Sequence, residues 1–126
     1  MNRLLWVLQV FLALAFLAHG LLLLFPPAAV VDQMNAALPR WFQVFVGVAE
    51  VLAAVGLTIP GLTGIQPWLV PAAAAGVMIV MVSATVFHVA RGEMSSAATT
   101  IVLLAIATFV AYMRARTAPI RSRTAA

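Results

Sequence analysis

Four apolar runs, each about long enough to cross a bilayer, leave this chain little choice of fold. Residues 41–90 hold one carboxylate, Glu50, one histidine, His88, and no other ionisable side chain. A helix rises about 1.5 Å per residue, so about 20 apolar residues traverse a hydrocarbon core of about 30 Å. The 126-residue chain is 65% hydrophobic and 8% charged, where a soluble domain carries about 25% charged residues. One all-α integral membrane domain is expected, its spans packed as a four-helix transmembrane bundle.

Prolines, glycines and polar residues set the boundaries. The first span reads from about residue 4 to 25 and stops at Pro26-Pro27, a pair that cannot continue a helix. Arg3 in front of it imitates a signal peptide, but the apolar stretch exceeds the usual h-region and further spans follow, so an uncleaved helix is expected. In 28–38, Val30, Val31, Met34 and Leu38 recur at helical spacing with Asp32, Gln33 and Asn35 between them, the pattern of a short interfacial helix. The second span covers 39–58, after which Pro60, Gly61, Gly64 and Pro67 predict a tight reversal. The third covers 68–90, with Pro71 in its first turn. The fourth covers 95–113, with Ser95 or Ser96 as cap and Glu93 near the positive end of the helix dipole. Short connections imply up-down-up-down order.

The net charge of +4 rests on seven arginines. Arg3, Arg114, Arg116, Arg121 and Arg123 gather near the termini, whereas only Arg40 and Arg91 fall in the opposite loops, which predicts that both termini are cytoplasmic. The chain divides into a bundle, 1–114, and an Arg-rich tail, 115–126; the arginines from Arg114 onward predict contact with anionic headgroups. Trp6, Trp41 and Trp68 open three spans and suit the membrane interface. Nucleic acid is not an expected partner, because no soluble basic face or aromatic platform is present. The bilayer is the expected partner, with a second membrane protein or another copy of the chain left open. The absence of cysteine excludes disulfides, thiolate metal sites and cysteine nucleophiles.

Glu50 is the residue least at ease in this setting. It lies ten positions past Arg40, roughly 15 Å along a helix and about half the depth of the hydrocarbon. An acid there costs roughly 2.5–3.5 kcal/mol unless it is neutralised, paired or turned into a cavity. Gln43, Gly47, Glu50 and Ala54 share one helical stripe of polar and small residues, the opposite face being Val, Phe and Leu, so the stripe is expected to face the interior. His88, beside Ala84 and Thr85 on the third span, and His19, beside Gly20 on the first, are the remaining candidates. Counting from the span ends ranks them His88, His19, Glu50 from the outside, with Glu50 and His88 roughly 10 Å apart in depth. Direct contact does not follow from that spacing. Candidate ligand-binding residues are thus Glu50, His19, His88, Gln43, Gly47 and Thr85. Two histidines and one carboxylate from three helices have no metal-site spacing, and no metal is expected. Bis-histidine haem needs imidazoles at equal depth, which the counting does not provide.

The segments GVAEVLAAVGLTIPG at 47–61 and SATVFHVARGE at 83–93 resemble the DoxX-like family of small four-helix membrane proteins. Gly47, Glu50, Pro60 and Gly61 match the family's first motif, Ala84, His88, Arg91, Gly92 and Glu93 its second, and Gly20 also fits. The family's frequent lysine after that glycine is missing from Leu21–Phe25. The resemblance implies a bacterial inner-membrane protein. Relatives are linked to thiosulfate:quinone oxidoreductase, to redox-stress membrane assemblies and, in animals, to receptor-assembly chaperones.

Three functions are consistent with these residues. The first is an accessory protein that binds a lipophilic molecule such as a quinone, with protonated Glu50 or a histidine donating to its carbonyl. The second is an acid/base enzyme, of isomerase or cyclase type, acting on a hydrophobic substrate through Glu50 and His88 as its catalytic pair. The third is a membrane assembly factor in which Glu50 is structural. Transport is disfavoured, since no inverted repeat or broken helix is visible.

Overall fold

The computed structural model describes residues 1–125. All regular structure in them is helical: α1 (Asn2–Leu24), α2 (Val31–Ala37), α3 (Arg40–Thr63), α4 (Leu69–Ala90) and α5 (Met94–Tyr112), followed by a π-helical turn (Met113–Thr117) and a short 3-10 turn (Arg123–Ala125). Four helices are long and apolar enough to cross a membrane: α1, α3, α4, and α5 continued to Thr117. Their outward side chains, among them Phe11, Leu14, Phe45, Ile79 and Val102, are exposed, which suits a surface solvated by acyl chains.

Each helix is cut where its sequence fails. α1 ends before Pro26, and its last carbonyls receive the Arg40 guanidinium, Nη1 donating to Leu23 O and Nη2 to Leu24 O at 2.6 Å each. A cation at a helix C-terminus meets both the free carbonyls and the negative dipole end. α2 is the short helix expected before the second span, and buried Gln43 ties it down, Nε2 donating to Leu38 O at 2.8 Å and lying 3.1 Å from Asn35 Oδ1.

Three local expectations are corrected. α3 does not stop near Thr58; it passes through Pro60 and Gly61 to Thr63, and Gly64, at φ +70°, caps it. The reversal is confined to 64–68. An interior proline costs a backbone hydrogen bond, but this last turn is held by packing: a Cβ added to Gly61 would lie 2.8 Å from both Trp6 and Ile120. Neither Ser95 nor Ser96 caps α5; Glu93 occupies the cap position without a side-chain capping bond, because its carboxyl is turned to Arg91 and His88.

The third correction concerns Arg114, which does not reach for headgroups. It is 2% exposed, with Nε donating to Gln9 Oε1 (2.5 Å) and Nη1 to Asn2 Oδ1 (2.7 Å) and Ala118 O (3.0 Å). Gln9 in turn donates to Leu57 O at 2.7 Å. The π-helical turn swings the arginine inward, and Trp6 stacks beneath it, 5.6 Å from ring centre to guanidinium. Arg3, Arg116, Arg121 and Arg123 remain exposed. The tail touches the bundle at two points: Arg123 N–H donates to Gly64 O at 2.8 Å, and Ile120 lies on Gly61.

The core is densest at the end that carries both termini, where Leu5, Leu12, Leu57, Ala74, Ala107 and Val110 are buried together. α1 packs chiefly on α3, α4 on α5, and α3 joins the two pairs. Toward the opposite end the pairs separate, and burial on α4 ceases after Met81.

Candidate functional site

The α1–α3 seam is built on two glycines. A Cβ on Gly20 would stand 2.9 Å from Gly47 O, and one on Gly47 would stand 3.0 Å from Gly20 O. Only glycine lets the backbones approach this closely. The approach sets the register, and the register brings His19 to Glu50: Nδ1 and Oε2 are 2.7 Å apart. The Glu50 side chain is 3% exposed and that of His19 56%, and among the described residues no other side chain hydrogen-bonds the carboxyl. Among the described residues neither Glu50 Oε1 nor His19 Nε2 has a hydrogen-bond partner. Nδ1 and Oε2 make one hydrogen bond, whose donor depends on the tautomer of the imidazole.

Both residues line a chamber of about 910 Å³ between the separated helix pairs. Its walls are mostly apolar, with Phe16, Phe42, Val46 and Phe87 prominent. Its polar groups come from all four long helices: His19, Glu50 and Gln43 on α1 and α3, and Ser83, His88, Ser96, Thr99 and Thr100 on α4 and α5.

Of the six candidates, His19, Gln43, Glu50 and His88 line the chamber. Gly47 lies behind it in the glycine seam, against Leu24 and Gly20. Thr85 is also set back, donating to Met81 O at 2.7 Å and meeting Thr100 Oγ1 at 2.7 Å; Thr100 stands on the wall in its place. His88 is not joined to Glu50. Its Nδ1 lies 3.1 Å from Glu93 Oε2, and the Arg91 guanidinium binds the other oxygen of that carboxylate. Arg91 first, and His88 after it, hold the Glu93 carboxyl below the usual carboxylate range. Among the described residues no group of three His, Asp or Glu side chains converges on a metal-sized space.

Thr100, Ser96 and the Gln9–Arg114 pair were not among the candidates. A glutamine in an otherwise apolar span was a visible signal for Gln9, because a buried amide demands partners. Thr100 left no such sign, since a hydroxyl in a helix satisfies itself on the preceding turn, here at Ala97 O.

Four membrane-length helices, with a buried carboxyl hydrogen-bonded to a half-exposed imidazole, define a small helical membrane protein. The chain belongs to the DoxX-like family, whose model matches residues 7–110. No curated protein and no solved structure was found to match it.

Proposed function

We propose that the chamber binds a lipophilic, ring-bearing molecule of quinone type, and that the protein is an accessory membrane component of the bacterial inner membrane. The observation that carries this reading is the His19–Glu50 pair set in the wall of an apolar chamber of about 910 Å³. Small-molecule sites have this character: about 300–1,000 Å³, largely apolar, with a few convergent polar groups. His19 Nε2–H, or Glu50 Oε1 when protonated, donates to a ring carbonyl; Thr100 or His88 serves a second polar group on the far side. The spans alternate in direction and both termini lie in the cytoplasm, as the arginine distribution favours.

A second reading follows from the 2.7 Å contact itself. A carboxyl and an imidazole in hydrogen-bond contact in a mostly apolar chamber are equipped for proton transfer to a hydrophobic substrate, with His19 rather than His88 as the partner of Glu50. An assembly role with Glu50 purely structural makes no use of the chamber.

Titration of the detergent-purified protein with a decyl-substituted benzoquinone, followed calorimetrically, is expected to show saturable binding at one site. Glu50→Gln, which keeps shape and a donor, should retain affinity within about tenfold, and Glu50→Leu should lose it. Non-saturable uptake, identical in parent and Glu50→Leu protein, would refute the site. Turnover abolished by Glu50→Gln with binding intact would favour the enzyme.

A further inference from the structure

We infer that the ligand is a single-chained amphiphile whose polar ring occupies the chamber and whose hydrocarbon chain lies in a second cavity, the groove between α3 and α4. This inference rests on the ligand-site reading above. The groove encloses about 440 Å³, and apart from Glu50 every residue lining it is apolar. Its α3 wall runs from Ala49 to Pro60, roughly 16 Å of helix. Phe16, Glu50 and Val80 line both cavities, so Glu50 stands where they meet, with His19 on the chamber side.

Small side chains on facing helices open the groove: Ala49, Ala53 and Gly56 on α3, Ala72, Ala73 and Gly76 on α4. The gap is uneven. At Gly56 the helices touch, an added Cβ falling 2.8 Å from Ala73 Cβ, whereas a Cβ on Gly76 meets nothing within 4 Å. Small residues that served only close helix packing would leave no such space. Leu52 and Val55 on its rim are 64% and 48% exposed, so the groove faces the surface that acyl chains cover. A chain enters sideways from the bilayer while its ring passes into the chamber beside Glu50, and neither part crosses water. A ring without a chain leaves the groove to a bilayer lipid; a chain without a ring leaves the polar atoms of Glu50 and His19 unmet. The two cavities together select a molecule carrying both.

The test compares a decyl-substituted benzoquinone with the same ring bearing a methyl group, titrated calorimetrically into parent, Gly76→Leu and Ala72→Leu proteins in one detergent. Micelle partitioning of each quinone is common to all three proteins, so differences between them report the groove. Both leucine variants should weaken binding of the decyl compound by about tenfold or more, the loss expected from displacing roughly two buried methylenes. The methyl compound should change by less than about twofold. Thermal melting followed by circular dichroism checks that each variant is folded, and two variants guard against one that is not. Equal weakening of both quinones, or weakening of neither, would assign the chain elsewhere and leave the chamber reading standing. One phospholipid per chain retained through purification by the parent, and lost from Gly76→Leu, would give the groove to a bilayer lipid. Failure of both quinones to bind the parent protein would remove the ligand site and this inference together.

Discussion

Glu50 depends on a single neighbour. Its side chain is 3% exposed, and the hydrogen bond to His19 Nδ1 is the one contact that meets its need for a proton or a partner. Removing one member of a buried hydrogen bond costs more than the bond is worth, because the survivor keeps its desolvation penalty. His19→Ala should therefore lower the stability of the detergent-solubilised protein by about 1–3 kcal/mol, read as a fall in the midpoint of thermal unfolding. Glu50→Leu removes the demand along with the partner and should be milder than His19→Ala, since replacing a buried polar group by an apolar one of similar shape is often nearly neutral. The reverse order would mean that the pair is not the contact that holds these helices together. Arg114 presents the same problem at the other end of the bundle, met in part by neutral groups: Gln9, Asn2 and the Ala118 carbonyl take Nε and Nη1, while Nη2 is buried without a hydrogen-bond partner among the described residues.

Between helices, glycine has two different uses here, and substitution separates them. Gly20 and Gly47 hold α1 against α3 at backbone contact, and an added methyl group would meet a carbonyl oxygen at 2.9–3.0 Å. Gly47→Ala is expected to destabilise by about 1–3 kcal/mol, the usual cost of overpacking, and to shift the register that joins His19 to Glu50. Gly76→Ala, with open space around its Cβ, should be neutral or gain up to about 1 kcal/mol from helix propensity. Thermal unfolding of the two variants checks the contrast, and equal effects would refute the assignment of the Gly20–Gly47 seam. The seam also explains how His19, which the count places between His88 and Glu50 in depth, comes to meet the carboxyl. Counting residues from the ends of the spans gives height in the membrane but not which faces meet.

The whole molecule is two helix pairs, α1 with α3 and α4 with α5, closed together where the termini lie and parted at the other end to make the chamber. The closed end carries Arg3, Arg116, Arg121 and Arg123 at its surface, while Asp32 and Glu93 lie in the connections at the open end. The chain has no cysteine, so Asp32→Cys and Thr124→Cys each give a single reporter thiol. In intact cells an impermeant maleimide should label the first and not the second; labelling of Thr124→Cys alone would invert the proposed orientation.

The hydropathy of the chain alone dictated four membrane-length helices, because hydrocarbon admits no unpaired backbone and spans of this length satisfy it internally. The period of Gln43, Gly47, Glu50 and Ala54 likewise showed which face of α3 turns inward, since residues at that spacing share one side of a helix. The motif residues around Glu50 and His88 pointed to the family that the match over 7–110 shows. Tertiary structure decided the rest. The course of α3 through Pro60 depends on Trp6 and Ile120, side chains distant in sequence. Arg114 turned inward because Gln9 and Asn2 on another helix offered it oxygen acceptors. The pairing of His19 with Glu50, and of His88 with Glu93, came from lateral register and loop geometry. Local patterns encode length, burial and face through the chain's own periodicity, whereas partner choice depends on how separate helices meet, which no single period carries.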